Sequence, residues 1–277
     1  MKKRLLWIIV VLVILIALVC VLVGQFAKPA EPHETGPSLP EITEPHETEP
    51  DVTEPEVTEP EVTEPEPTEP PHSALYIPDV SVEDVITYFN EVCLDSEFVT
   101  GGDPSVIQKW AAPIYYTLEG NYTGADLKVL TGFATWLNTI EGFPGIYPST
   151  DAGKTNLDIH FCTQQKIPDL MGPNFTNMDG AVTFWYDYDI IYDAIICYRT
   201  DMSQHLRNSV ILEEIYNGLG PVQDTILRPD SIIYQYYSEP QALTAVDELI
   251  LRLLYHPDIK PGMNAEQCAE VIRKLYY

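Results

Sequence analysis

Residues 73–277 read as an α+β domain, a mixed sheet with helices packed on it. Three observations lead there. Short apolar runs at 110–118, 157–161, 181–185 and 190–196 have the length and composition of strands. Longer runs, with apolar residues three and four apart, follow residues suited to helix capping. The order is helix, strand, helix, several strands, long helix, turn, helix, and not a regular β–α alternation.

Each element has a local reason. Ser81-x-x-Asp84 is a capping box, and Val85, Ile86, Phe89 and Val92 form the stripe behind it. The run 110–118 is closed by Glu119-Gly120. Thr123 caps a second helix through Leu127, Leu130, Phe133, Leu137 and Ile140, and Gly142-Phe-Pro-Gly145 breaks it. Ile146-Tyr147 starts a short strand, and residues 157–161 alternate cleanly. A polar loop with Pro168, Gly172 and Pro173 precedes the strands at 181–185 and 190–196. The long helix spans about 203–219 and stops at Gly220-Pro221. Thr244 caps a helix ending near Tyr255, and Asn264 opens a last one.

The chain before this domain has two further zones. Residues 1–24 hold a basic tip, Lys2-Lys3-Arg4, and an apolar run from Leu5 to Val23. Nineteen residues at about 1.5 Å each give roughly 28 Å, the thickness of a hydrocarbon core. The positive-inside rule puts the N-terminus in the cytoplasm and the rest outside, as a single-pass anchor in the cell membrane. A cleaved signal peptide needs a shorter apolar run and a small-x-small site, and Gln25 before Ala27 and Lys28 before Ala30 do not supply one. Residues 25–72 are a low-complexity acidic stalk, with Glu-Val-Thr-Glu-Pro repeated at 56–60 and 61–65. Recurrent proline forbids helix and like charges repel, so an extended disordered spacer is expected, with a reach on the order of 140 Å.

The formal net charge is −27, with no basic stripe to meet phosphates, which argues against nucleic acid as a partner. Cys93, Cys162, Cys197 and Cys268 lie in the domain without C-x-x-C spacing, which excludes a zinc ribbon. Disulfides and buried free thiols both fit that spacing.

The informative stretch is Glu213-Glu-Ile-Tyr-Asn217-Gly-Leu-Gly220-Pro-Val-Gln223-Asp224. It resembles the long metzincin zinc motif, H-E-x-x-H-x-x-G-x-x-H-D. Glu214 matches the general base, Gly220 the turning glycine and Asp224 the trailing aspartate. The three histidine positions are Glu213, Asn217 and Gln223. Ser231-Ile-Ile-Tyr234 sits where a Met-turn would lie, with Ile233 in place of the methionine. The chain is also similar to a bacterial family known as domain of unknown function 2927. That pattern is carried here by Glu213-Glu214, Leu219-Gly220, Ser231-Ile232 and Leu254-Tyr255-His-Pro257-Asp-Ile-Lys-Pro261-Gly-Met263, with Asn217 replacing a glutamine. The resemblance implies a zincin-like mixed sheet with packed helices.

Residues 213 and 217 share a helix face, so two side chains can meet one ligand. Zinc prefers imidazole and thiolate, whereas Glu, Asn and Gln offer hard oxygens and amide donors. Three readings stay open: a solvated acidic face, a hydrogen-bonded pocket without metal, and a hard-cation site. Tyr234, Tyr236, Tyr237 and Trp185 are candidates to line a groove, though aromatic side chains on strands commonly fill a core. The expectation is a catalytically silent, cell-surface relative of metallopeptidases. It needs no cofactor, and its site for a peptide or envelope ligand comprises Glu213, Asn217, Gln223, Asp224, Tyr234 and Tyr236. One alternative is a hydrolase with Glu214 as catalytic base, using a hard cation or no metal. The other is a purely structural head on a stalk.

Overall fold

A computed structural model describes residues 73–94 and 105–277, which fall within one compact unit. The expected anchor and stalk, 1–24 and 25–72, lie outside the described residues. Among the described residues no helix is long and apolar enough to cross a membrane.

The domain is α+β, with a mostly parallel six-stranded sheet and six helices among the described residues. After α1 (Val82–Leu94) come β1 (Lys109–Trp110), β2 (Ile114–Gly120), α2 (Gly124–Leu137), β3 (Ile146–Pro148) and β4 (Leu157–Cys162). A short α3 (Ile167–Met171) precedes β5 (Gly180–Asp187) and β6 (Ile190–Arg199). The helices α4 (Gln204–Gly218), α5 (Ala245–Tyr255) and α6 (Ala265–Tyr276) complete the chain. Parallel strands run β3-β2-β4-β6, with Tyr116 opposite Leu157 and Ile159 opposite Ile196. The edge strand β5 folds back antiparallel on β6.

Local capping places the helices as the sequence implies. Thr123, Thr244 and Asn264 each close a reciprocal capping box. Ser81 Oγ accepts from the Asp84 N–H at 3.1 Å and donates to its carboxylate. Two expectations need correcting. The strand expected at 110–118 is split, because Pro113 has no N–H to give a ladder; 109–110 pairs with the start of β6 and the long strand begins at Ile114. The polar loop after β4 holds α3, whose Ile167 is buried with Ala181 and Cys197 behind the sheet.

The main core lies on the other face. Leu157, Ile159 and Phe161 of β4 and Ala194, Ile196 and Tyr198 of β6 point into it. The helix α4 is buried nearly all round, since it sits between the sheet, α2 and the C-terminal helices. Its last carbonyls, which no helical N–H can reach, accept from outside. The Trp110 indole N–H meets Gly218 O at 2.9 Å and the Tyr255 hydroxyl meets Leu219 O at 2.7 Å. Gly220 then turns the chain at φ +128, and a Cβ there would lie 2.6 Å from Gln108 O.

Three buried charges tie distant segments together. Asp126 of α2 is fully buried and bonds the Arg207 guanidinium of α4, with Gln204 Nε2 at 2.7 Å and Thr123 N at 2.6 Å. Asp247 of α5 is fully buried and accepts five bonds. Its Oδ1 takes the Ser231 and Tyr88 hydroxyls at 2.7 and 3.0 Å; its Oδ2 takes Ile232 N at 3.2 Å and Thr244 N and Oγ1 at 2.9 Å each. Lys109 donates to Leu254 O at 2.7 Å and Ile259 O at 2.5 Å, and burial pulls its pKa down to about 8. At the domain's margin, Ser73 Oγ donates to Tyr276 O at 3.1 Å, and the Tyr276 hydroxyl meets the backbone of Ile77 and Val80. All four domain cysteines are free thiols.

Candidate functional site

The site forms where α4 ends and the chain returns. Glu213, Glu214 and Asn217 are on the last turns of α4, and Gly220 brings Gln223 and Asp224 back beside them. Asn217 Nδ2 donates to Asp224 Oδ1 at 3.4 Å, so those two candidates do meet. Gln223 is less free to act on a ligand, because its Nε2 donates to the Asp224 carbonyl at 3.2 Å and its backbone N–H to Val92 O.

Glu214 is buried and Asn217 is 9% exposed. Glu213 keeps some exposure, yet protein closes round it enough that burial is the first cause of its pKa rising to about 8. Asp224 and Asp179 push it further in the same direction. The Glu214 carboxyl is raised well above the usual carboxylate range by burial, then by Glu213 and Asp224. Among the described residues no hydrogen bond or ion pair reaches either glutamate. The Asn217 side-chain oxygen is buried with no hydrogen-bond partner.

Several contributors are not legible as site residues in the sequence. Gly180 opens β5 beneath Glu214, and a Cβ there would lie 2.5 Å from Glu214 Oε1. A glycine opening a strand marks close approach of another group, which is the one sequence signal for it. Asp179 precedes it, and Cys197 and Tyr198 of β6 lie nearby, their pKa values raised first by burial, with Glu214 a lesser cause in both. The aromatic candidates sit apart. Tyr234 bridges Thr225, next to Asp224, and its ring meets Tyr236 at 5.4 Å between centroids. Tyr236 is 63% and Tyr237 77% exposed, in an irregular segment, and Trp185 faces solvent on the edge strand. None of these three is core.

A zinc ion fits these residues poorly. The positions that the resemblance assigns to imidazoles hold one carboxylate and two carboxamides. Among the described residues no group of three or more His, Cys, Asp and Glu side chains is placed to hold a metal.

The raised acids make stability depend on pH. Unfolded glutamates ionise near about pH 4.3, while the folded Glu213 and Glu214 keep their protons to higher pH. The folded state therefore binds more protons in between, and stability is lost as pH rises from about 4.5 through the folded values. Urea unfolding of Glu214→Gln should match the wild type within about 1 kcal/mol at pH 5 and show a flatter decline towards pH 8. An unchanged slope would mean that Glu214 is not held protonated.

Fold and site together define a class: an α+β head with a parallel sheet, one antiparallel edge and an oxygen-rich acid and amide cluster after its central helix. The chain belongs to the family described as Protein of unknown function (DUF2927), whose family model matches residues 82–274. A comparison with curated proteins gives no match. Of the motifs that carry the sequence resemblance, two are scaffolding. Ser231-Ile232 supplies bonds to buried Asp247, and the 254–263 ending supplies the carbonyls that hold Lys109. Only the Glu-Glu helix opens on the cluster.

Proposed function

We propose that the domain is a binding head, related in its frame to metallopeptidases but without zinc chemistry, tethered outside the cell. One observation carries the reading: Glu213 and Asn217 lie on the last turns of α4, Asp224 returns to bond Asn217, and the group presents carboxyl and amide groups, one of them a buried oxygen with no partner. A buried polar atom without a partner costs about 1–3 kcal/mol, so a ligand that brings a donor to this oxygen would be favoured. The zincin-like frame is supported by the glutamate helix packed on the sheet, the glycine turn, the antiparallel edge strand and buried Ile233 in the following loop. The tether is the apolar run 5–23 and the stalk 25–72.

A second reading has one observation of its own. A buried glutamate with a raised pKa is suited to general acid–base work, so Glu214 in a hydrolase is the competing function.

Protease added to wall-stripped cells is expected to release the domain by cutting the stalk. Elemental analysis of the released domain should find no stoichiometric zinc, and a chelator should leave its circular dichroism unchanged. About one zinc per chain, removed by chelator with loss of structure, would overturn the silent-relative reading. A domain that resists release alongside a cytosolic control would overturn the tether.

A further inference from the structure

We infer that the cluster at the end of α4 takes a primary ammonium group, presented by a lysine side chain or by a free amino terminus. This rests on the binding reading above and names the chemistry of its ligand.

The polar atoms left over at the site are acceptors. Glu213 and Glu214 carry carboxyl groups that no donor reaches among the described residues. The Asn217 oxygen is buried, in a residue only 9% exposed, with nothing to accept from. The Asn217 amide is turned to this cluster, since its nitrogen donates to Asp224. A ligand that brings N–H donors and positive charge together completes such a set, and its charge draws off the protons that the two carboxyls otherwise keep.

Two kinds of cation can do so, and the geometry separates them. A calcium-like ion gathers six to eight oxygens at about 2.3–2.6 Å, several of them from carboxylates, and among the described residues no group of three or more His, Cys, Asp and Glu side chains is placed to hold a metal. An ammonium asks for less. It offers three donors, each reaching an oxygen at about 2.7–2.9 Å, and its stem supplies the remaining contacts. Glu213, Glu214 and Asn217, on the last turns of α4, offer that number of acceptors. A guanidinium suits them less well, because its planar fork favours two oxygens of one carboxylate. Gly180 also contributes: by having no side chain it lets Glu214 lie against the edge strand, where any larger residue would displace it.

Isothermal titration of the full chain in detergent tests this with three probes: acetyl-Ala-Lys-Ala-amide, Ala-Ala-Ala-amide with a free amino terminus, and the fully blocked acetyl-Ala-Ala-Ala-amide. At least one amine-bearing peptide should bind about tenfold or more tightly than the blocked one, as expected for bonds to charged groups. Which of the two binds identifies the source of the amine. That preference should disappear in Glu213→Gln/Glu214→Gln and weaken in Asn217→Leu, in chains whose circular dichroism is unchanged. Equal binding of the blocked peptide would overturn the ammonium assignment and leave the binding head standing. No binding of any peptide would overturn both. Calcium chloride alone binding at one ion per chain, and lost in Glu213→Gln, would overturn the assignment in favour of a metal.

Discussion

Asp247→Ala is expected to destabilise the domain by about 3–5 kcal/mol. The carboxylate is fully buried and accepts five bonds from four residues. Alanine leaves the Ile232 N–H and the Ser231 and Tyr88 hydroxyls without their acceptor, at about 1–3 kcal/mol for each group that finds no substitute. It also removes half of the capping box that starts α5. For a domain of this size the thermal midpoint should fall by roughly 10 °C. The loop after Asp224 hangs on the same carboxylate, so peptide binding at the cluster should weaken as well. A loss under about 1 kcal/mol in urea would show that these bonds are replaced by water and that the loop is held by its apolar residues alone.

Arg207→Ala should cost nearly as much, about 3–5 kcal/mol, for a different reason. The guanidinium neutralises Asp126, which is fully buried between α2 and α4. Removing it strands a carboxylate with only Gln204 and Thr123 as donors. The stranded charge, and not the missing contact, is the source of the loss. The double variant Arg207→Met/Asp126→Asn should therefore be more stable than Arg207→Ala. Denaturant midpoints of the two would settle this, and a double variant at least as unstable as the single one would contradict it.

What the sequence makes legible is what depends on near neighbours. Thr123, Thr244 and Asn264 start helices because a cap acts three residues along, and the alternation at 157–161 appears directly as buried and exposed faces of β4. The split at Pro113 is equally local, since the N–H that proline lacks is evident from the residue itself. The partners of Asp247 include Tyr88, and that of Asp126 is Arg207, far along the chain, so no spacing rule identifies either charge as buried. The same holds for the site. Asn217 and Asp224 come together because one glycine turn separates them, whereas Asp179 and Gly180 reach the cluster through the pairing of β5 with β6. Trp185, Tyr236 and Tyr237 are exposed because they lie on a sheet edge and an irregular segment, which composition alone does not distinguish from a core strand.

The hydrogen bonds that join Ser73 and Ile77 to Tyr276 have a mechanical meaning. On the proposed tether, tension arriving through the residues before Ser73 would fall first on these few bonds to Tyr276. The sheet, whose ladders would have to break together, would be the later part to yield. On the proposed tether these bonds would be a weak end, and pulling would lengthen the tether before it disturbed the rest of the domain.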